Sequence, residues 1–202
     1  LNLPRGKLHA RSGLALQPGQ LAQFSTLVER RAQGEPSAYL TGARGFWSLE
    51  LQVTPDVLIP RPETELLVEL ALQKIPADAA WRIADLGAGS GAIALALAHE
   101  RPRCQLIATD ISPAALEIAR VNAARLNIRN VAFRLGDWFS ALRDERFDMI
   151  VSNPPYVASG DPHLHDLRFE PEIALVACAE GLQHLRTIAT QAREHFTQGG
   201  CL

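Results

Sequence analysis

The sequence predicts an α/β fold: a mostly parallel sheet covered by helices on both faces. Three observations carry this reading. Short apolar runs at 82–86, 105–109, 131–135 and 147–152 have the length of buried strands. Helical patterns at 91–99 and 113–126 alternate with them, which is the order a parallel sheet requires. Two of the runs end in turn-forming motifs, Gly87-Ala88-Gly89-Ser90-Gly91 and Asn153-Pro154-Pro155-Tyr156, at what would be the carboxyl edge of the sheet.

Residues 1 to 19 mix Pro, Gly and Arg without a period. Leu21, Phe24, Leu27 and Val28 then fall at helical spacing until Gly34 and Pro36 stop the pattern, giving a small helical element over 1–38. From Phe46 to Val53, Trp47, Leu49, Leu51 and Val53 alternate with Ser48, Glu50 and Gln52, the period of a half-buried strand. A second short strand is expected at Val57 to Ile59, so that 39–60 forms a β-hairpin linker. Pro60 and Pro62 close it, and from Thr64 the residues Leu66, Leu67, Leu70 and Ala71 read as an amphipathic helix ending before Pro76.

The α/β unit then runs from 61 to 202. Strand Arg82–Leu86, helix Gly91–His99, strand Gln105–Thr109 and helix Pro113–Leu126 follow one another, the second helix with Pro at its start. Strands Val131–Leu135 and Phe147–Ser152 come next, then a helix over Leu182–Phe196 leading to the turn Gly199-Gly200. An apolar pair, Cys201-Leu202, would open a strand after that turn. With Leu1 rather than Met at the start, the chain reads as a fragment whose remaining C-terminal strands lie beyond it.

The 202 residues are 47% hydrophobic and 21% charged, so disorder is excluded as the main state. With 20 basic and 22 acidic side chains the net charge is −2, which supplies no global field for a polyanion. The longest apolar runs, such as AIALALA at 92–98, fall short of the roughly 20 residues a membrane span needs. Cys104, Cys178 and Cys201 are odd in number and never spaced as C-x-x-C, so neither a disulfide framework nor a zinc site is expected, and a cytoplasmic setting fits. They read as small buried apolar residues.

The glycine run is a ligand cradle. Without side chains, backbone and ligand approach closely and positive φ is accessible. Asp110 ends the next strand 19 residues after Gly91, the spacing at which a carboxylate meets ribose hydroxyls. Gly87, Gly89 and Ala92 also satisfy a dinucleotide loop, so an oxidoreductase is a rival. The run Gly87-x-Gly89-x-Gly91 after an acidic Asp85 has instead the form of adenosyl-methionine sites.

Asn153-Pro154-Pro155-Tyr156 decides more strongly. Two prolines fix φ and lack N–H groups, making a stiff turn with carbonyls free to accept. A planar amino group is a poor nucleophile because its lone pair is delocalised. An enzyme that methylates one must hold both N–H bonds and aim the nitrogen. The Asn153 side-chain oxygen and the Pro154 carbonyl are the two acceptors, and Tyr156 is a wall for the flat acceptor group. Asn153 has no useful basicity, so the site works through dipoles rather than a strong base.

These motifs resemble those of the class I adenosyl-methionine methyltransferases, with a Rossmann-like sheet. Within them the chain closely resembles the protein-(glutamine-N5) methyltransferases that modify peptide-chain release factors. The resemblance spans about 20–200. It rests on GEPSAYLTGARGFWSLELQVTPDVLIPRPETE at 34–65, DLGAGSGAIALALA at 85–98, GDWFSAL at 136–142 and IVSNPPYVASGDPHLHDLRFEP at 150–171. It implies that S-adenosyl-L-methionine is bound by Asp85, Gly87, Ala88, Gly89, Ser90, Gly91, Asp110, Asp137, Trp138 and Asn153. It implies that Asn153, Pro154, Pro155 and Tyr156 grip the glutamine of the release factor's Gly-Gly-Gln loop, with Arg61, Glu63 and Glu65 helping to close the pocket. The 1–38 element then corresponds to the remnant of a substrate-docking domain.

The nearest alternative is a nucleic-acid amino-methyltransferase, since adenine and cytosine amino groups pose the same problem. The lack of basic excess argues against it, and Arg120, Arg125 and Arg129 read as a solvated helix face. A fragment that binds the cofactor without turnover is a third reading. His163 and His165 have no further Cys or His nearby and read as a polar loop beside the substrate pocket, so no metal is expected. Trp47 and Trp81 read as packing, and Trp138 as core or ring neighbour. A monomer without a stable nucleic-acid or membrane partner is expected.

Overall fold

In a computed structural model that describes residues 5–8, 10, 13–178 and 180–202, the centre of the molecule is a five-stranded parallel sheet. Its strands are β3 (Arg82–Leu86), β4 (Gln105–Asp110), β5 (Val131–Leu135), β6 (Phe147–Ser152) and β9 (Phe196–Cys201), in the order β5-β4-β3-β6-β9. Before it come α1 (Arg5–Leu8), α2 (Pro18–Ala32), α3 (Ser37–Thr41), the antiparallel hairpin β1 (Ala43–Phe46) and β2 (Leu49–Gln52), and α4 (Glu65–Lys74). The helices α5 (Ala92–Glu100), α6 (Pro113–Arg125) and α7 (Gln183–Ala192) cross between strands, and a small parallel pair, β7 (Val157–Ala158) and β8 (Val176–Ala177), lies beyond β6. Part of the expected 1–38 element, residues 1–4, 9, 11 and 12, lies outside the described residues.

Alternation along the strands explains the two-sided cover. Ile83, Met149 and Val151 enter one apolar core with α4 and α5, whereas Ala84, Leu86 and Ile150 enter another with Leu142 and Ile188 of α7. From Ala92 to Ala98 every residue of α5 is buried, so this stretch of the helix shows no polar stripe. Ser112 caps α6 by accepting the Ala115 N–H at 3.2 Å, with Pro113 in the first turn.

Three expectations are corrected. The hairpin turns within the run read as one strand: Trp47 and Ser48 form its tip, with Trp47 at φ 55°. Trp is not a turn residue. It is held there because its N–H donates to Glu65 and its indole N–H to Glu100, both at 2.8 Å. Val57 to Ile59 is not a strand. Its polar groups meet side chains instead, the Val57 carbonyl accepting from the Tyr39 hydroxyl at 2.7 Å and the Ile59 N–H donating to Glu170 at 3.0 Å. Finally, the C-terminal helix ends at Ala192, a short 3₁₀ turn follows, and β9 begins at Phe196 and runs through Gly199 and Gly200. The glycines mark an irregular pairing with β6 rather than a turn, since a Cβ at Gly200 would lie 2.8 Å from the Phe147 carbonyl oxygen.

Candidate active site

The chain leaves β3 toward β4 and β5 on one side of the sheet, but leaves β6 toward β9 on the other. The carboxyl ends of the neighbouring strands β3 and β6 therefore open a crevice between diverging connections. The Ser152 hydroxyl donates to the Leu86 carbonyl at 2.7 Å and ties those two ends together.

On the β3 side, Gly87, Gly89 and Gly91 have φ of 75°, 54° and 84°, which side chains rarely tolerate. The Gly89 N–H donates to one oxygen of Asp110 and the Ser112 N–H to the other, both at 2.8 Å, so Asp110 fixes the loop. A Cβ at Gly87 would come within 3.3 Å of the Trp138 ring, which lies over the loop. Trp138 in turn faces His184 of α7, ring centroids 5.2 Å apart. These groups, with Asp137, Asn153, Leu58 and Ile173, surround a cavity of about 400 Å³, within the range of small-molecule sites.

On the β6 side, Asn153 to Val157 with Arg61, Leu58 and Leu167 surround a second cavity of about 220 Å³. Leu58, Asn153, Pro155 and Ala174 line both cavities, so Asn153 stands at the boundary between them. Its side-chain N–H donates to the Thr64 hydroxyl at 3.3 Å. Pro154 is buried and Tyr156 is 60% exposed. Arg61 pairs with Glu170, whose other oxygen accepts from Ile59, so the residues around Pro60 are staked to the RFEP segment.

Of the expected cofactor residues, Gly87, Gly89, Asp110, Asp137, Trp138 and Asn153 reach the larger cavity, and Arg61, Asn153, Pro154, Pro155 and Tyr156 line the smaller one. Ala88, Ser90 and Gly91 belong to the same loop but are buried and line neither cavity. Asp85 is fully buried beneath it, with one oxygen accepting from Ala94 at 3.0 Å and the other without a partner among the described residues. Burial pushes its carboxyl up to about 7, the nearby charge of Asp110 adding to the rise and the Ala94 N–H opposing it. Glu63 is exposed and lines neither cavity, and Glu65 serves the hairpin tip. His163 and His165 lie in a 3₁₀ turn, His163 beside Asp161 at 2.8 Å. Cys178 is exposed and Cys201 half-buried, contrary to the expectation of buried thiols; only Cys104 is buried, among apolar neighbours of α5 and β4. Sequence reasoning missed Leu58, Thr64, Ile173 and His184. None carries a local signal, because each arrives through tertiary contact.

The Methyltransferase small domain family matches residues 63–167, and the PrmC N-terminal domain matches residues 1–42. A release factor glutamine methyltransferase from Xylella fastidiosa (strain Temecula1) is 52% identical across the whole of this chain and 74% of its own length. Its counterpart from Escherichia coli K12 is 52% identical over 91% of this chain and 66% of that relative. The chain belongs to the release factor glutamine methyltransferases. The solved structures it resembles share the fold of this family at low identity. A SAM-dependent methyltransferase from Agrobacterium tumefaciens superposes with TM-score 0.57 at 16% identity, covering 78% of this chain and 49% of that one. A methyltransferase from Pyrococcus furiosus gives TM-score 0.53 at 18% identity, covering 86% and 74%. Among the described residues no helix is long and apolar enough to cross a membrane.

Proposed function

We propose that the larger cavity holds S-adenosyl-L-methionine, and that the smaller one holds the glutamine side chain of a release factor's Gly-Gly-Gln loop. The overall reaction is that of the family: a methyl group passes to the side-chain amide nitrogen of that glutamine. The observation that carries the site assignment is Asn153 standing at the wall shared by both cavities.

The residues fit such a cofactor. Gly87 and Gly89 have positive φ and leave open the space that side chains would fill, and Asp110 sits where a ribose carboxylate partner is needed. Asp137 and Trp138 supply a polar edge and a ring face to the same cavity. When bound, S-adenosyl-L-methionine supplies a methyl group on a positively charged sulfur. The chain's own part is orientation. Asn153 Oδ1 and the Pro154 carbonyl accept the two amide N–H bonds, and Tyr156 with Pro155 flanks the flat group. Because Pro154 and Pro155 restrict the backbone, those acceptors are fixed before substrate arrives, and their dipoles favour the positive charge that develops on nitrogen. Asn153 remains an orienting group and takes no proton; the methylated nitrogen gives up its extra proton to solvent after transfer, and S-adenosyl-L-homocysteine is the by-product.

On this reading, residues 61–202 carry the chemistry, 39–60 link, and 1–38 belong to docking of the release factor, in the cytoplasm. Incubating a purified release factor with the protein and S-adenosyl-L-methionine should add one methyl group to that glutamine, read by mass spectrometry. A Gln→Ala change in the Gly-Gly-Gln loop should abolish the signal. Methylation that persists in that variant, or cofactor binding without any methylation of the unaltered release factor, overturns the assignment.

A further inference from the structure

We infer that Thr64 is a positioning residue for the methyl transfer: its hydroxyl sets which way the Asn153 amide faces. The inference rests on the reading that Asn153 holds the substrate amide. Asn153 has a carbonyl oxygen and an NH₂ group on one flat end, and a simple rotation exchanges them. Only the oxygen can accept from a substrate amide N–H. The Thr64 hydroxyl accepts from Asn153 Nδ2 at 3.3 Å, and in this arrangement the NH₂ side faces the protein and Oδ1 is left for the substrate.

The local structure around Thr64 supports this role. Thr64 closes the 3₁₀ turn Pro62–Thr64 that runs straight into α4, so its φ of −70° and ψ of −19° are helical and its hydroxyl is not taken up as a helix cap. The hydroxyl meets Asn153, 89 positions away in sequence. The backbone that presents Thr64 is fixed as well. Its N–H donates to the Arg61 carbonyl at 3.0 Å, and Arg61 is pinned by the buried Glu170. The hydroxyl therefore reaches Asn153 from a braced turn.

The test compares Thr64→Val, which keeps the shape and removes the hydroxyl, with Thr64→Ala and Thr64→Ser. Thr64→Val and Thr64→Ala should each lower kcat for release-factor methylation about five- to tenfold, the effect of one neutral hydrogen bond, with cofactor affinity changed less than twofold. Thr64→Ser should restore most of the loss. In an Asn153→Ala background Thr64→Val should have no further effect, because there is no amide left to orient. A wild-type kcat in Thr64→Val, an equal loss in Thr64→Ser, or an undiminished effect in the Asn153→Ala background overturns the inference. If Thr64→Val fails to fold, Thr64→Ala and the serine rescue decide. Failure of the wild-type protein to methylate the Gly-Gly-Gln glutamine would instead sink the underlying reading, so the two failures are separable.

Discussion

Leu86 and Ser152 are register partners on neighbouring strands, and the turns that follow them are built oppositely. After Leu86 come three glycines at positive φ, a backbone whose N–H groups at Gly87, Ala88, Gly89 and Gly91 bond within the protein and which puts no side chains in the way. After Ser152 come Asn, two prolines and Tyr, a backbone stripped of N–H groups, rigid, and rich in acceptors. One turn fits a cofactor that must be approached closely. The other fits an amide whose two N–H bonds must be accepted and aimed. The single sheet edge thus carries two chemistries because the sequence punctuates its strands with opposite backbone types.

The largest effect expected from breaking this division is at Asn153. Asn153→Ala should lower kcat for release-factor methylation by about 10²–10³, the usual loss for an oriented dipole that acts in the transition state. Cofactor affinity should fall by less than tenfold, since the glycine loop, Asp110 and Trp138 are untouched. Equal losses in binding and turnover, measured by equilibrium binding and single-turnover assays, would show that the two turns are not separate in function.

Arg61 tests what holds the rigid side in place. Removing it strands Glu170, whose side chain is only 3% exposed. Because Arg61 itself is 32% exposed, the loss falls below that of a fully buried pair. Arg61→Ala should reduce unfolding free energy by about 2 kcal/mol in denaturant titration, and kcat should drop with it as the turn presenting Thr64 loosens.

Gly87 probes the flexible side. Gly87→Ala forces an L-residue to φ 75° and presses its Cβ against Trp138 at 3.3 Å. A strain of about 1–2 kcal/mol should weaken cofactor binding about tenfold while leaving the substrate side intact. Gly160→Ala is the control, with φ of 91° and open space around it. It carries comparable strain away from the cavity, and its cofactor affinity should match wild type.

What the sequence made legible follows the same division. Four sheet strands and both turns were readable because each is encoded locally, in apolar runs and in Gly or Pro spacing. The hairpin tip was not, because Trp47 occupies a positive φ only through distant Glu65 and Glu100. Strand β9 was hidden for a related reason, its two glycines having the same signature as a helix-ending turn. Leu58 and Ile173 reach the cavities by contacts spanning about half the chain, such as Ile59 to Glu170 across 111 positions. Glu63 shows the converse: it shares a motif with Arg61 and Thr64, but within its short 3₁₀ turn it is exposed and lines neither cavity.

A test that spares both turns lies at Asp85, buried beneath the glycine loop. Its carboxyl titrates near 7 in the folded protein, raised first by burial, against about 3.9 in an unfolded chain. Between those values the folded state holds a proton that the unfolded state has released. Its contribution to stability is therefore fully present below about pH 4 and is lost as pH rises through 7, with a slope of at most about 1.4 kcal/mol per pH unit. Glu145, held low by Arg134 and Arg82, has the opposite sign and acts at more acidic pH, so the window from about 4.5 to 7 isolates Asp85. Asp85→Asn cannot titrate, and its amide oxygen can still accept from Ala94. Denaturant titrations across that window should show the Asn variant gaining on wild type as pH increases. A constant difference would mean that Asp85 is ionised throughout, with its second oxygen satisfied. The glycine loop would then rest on a fixed charge, as firmly set from below as the proline turn is by its own rings.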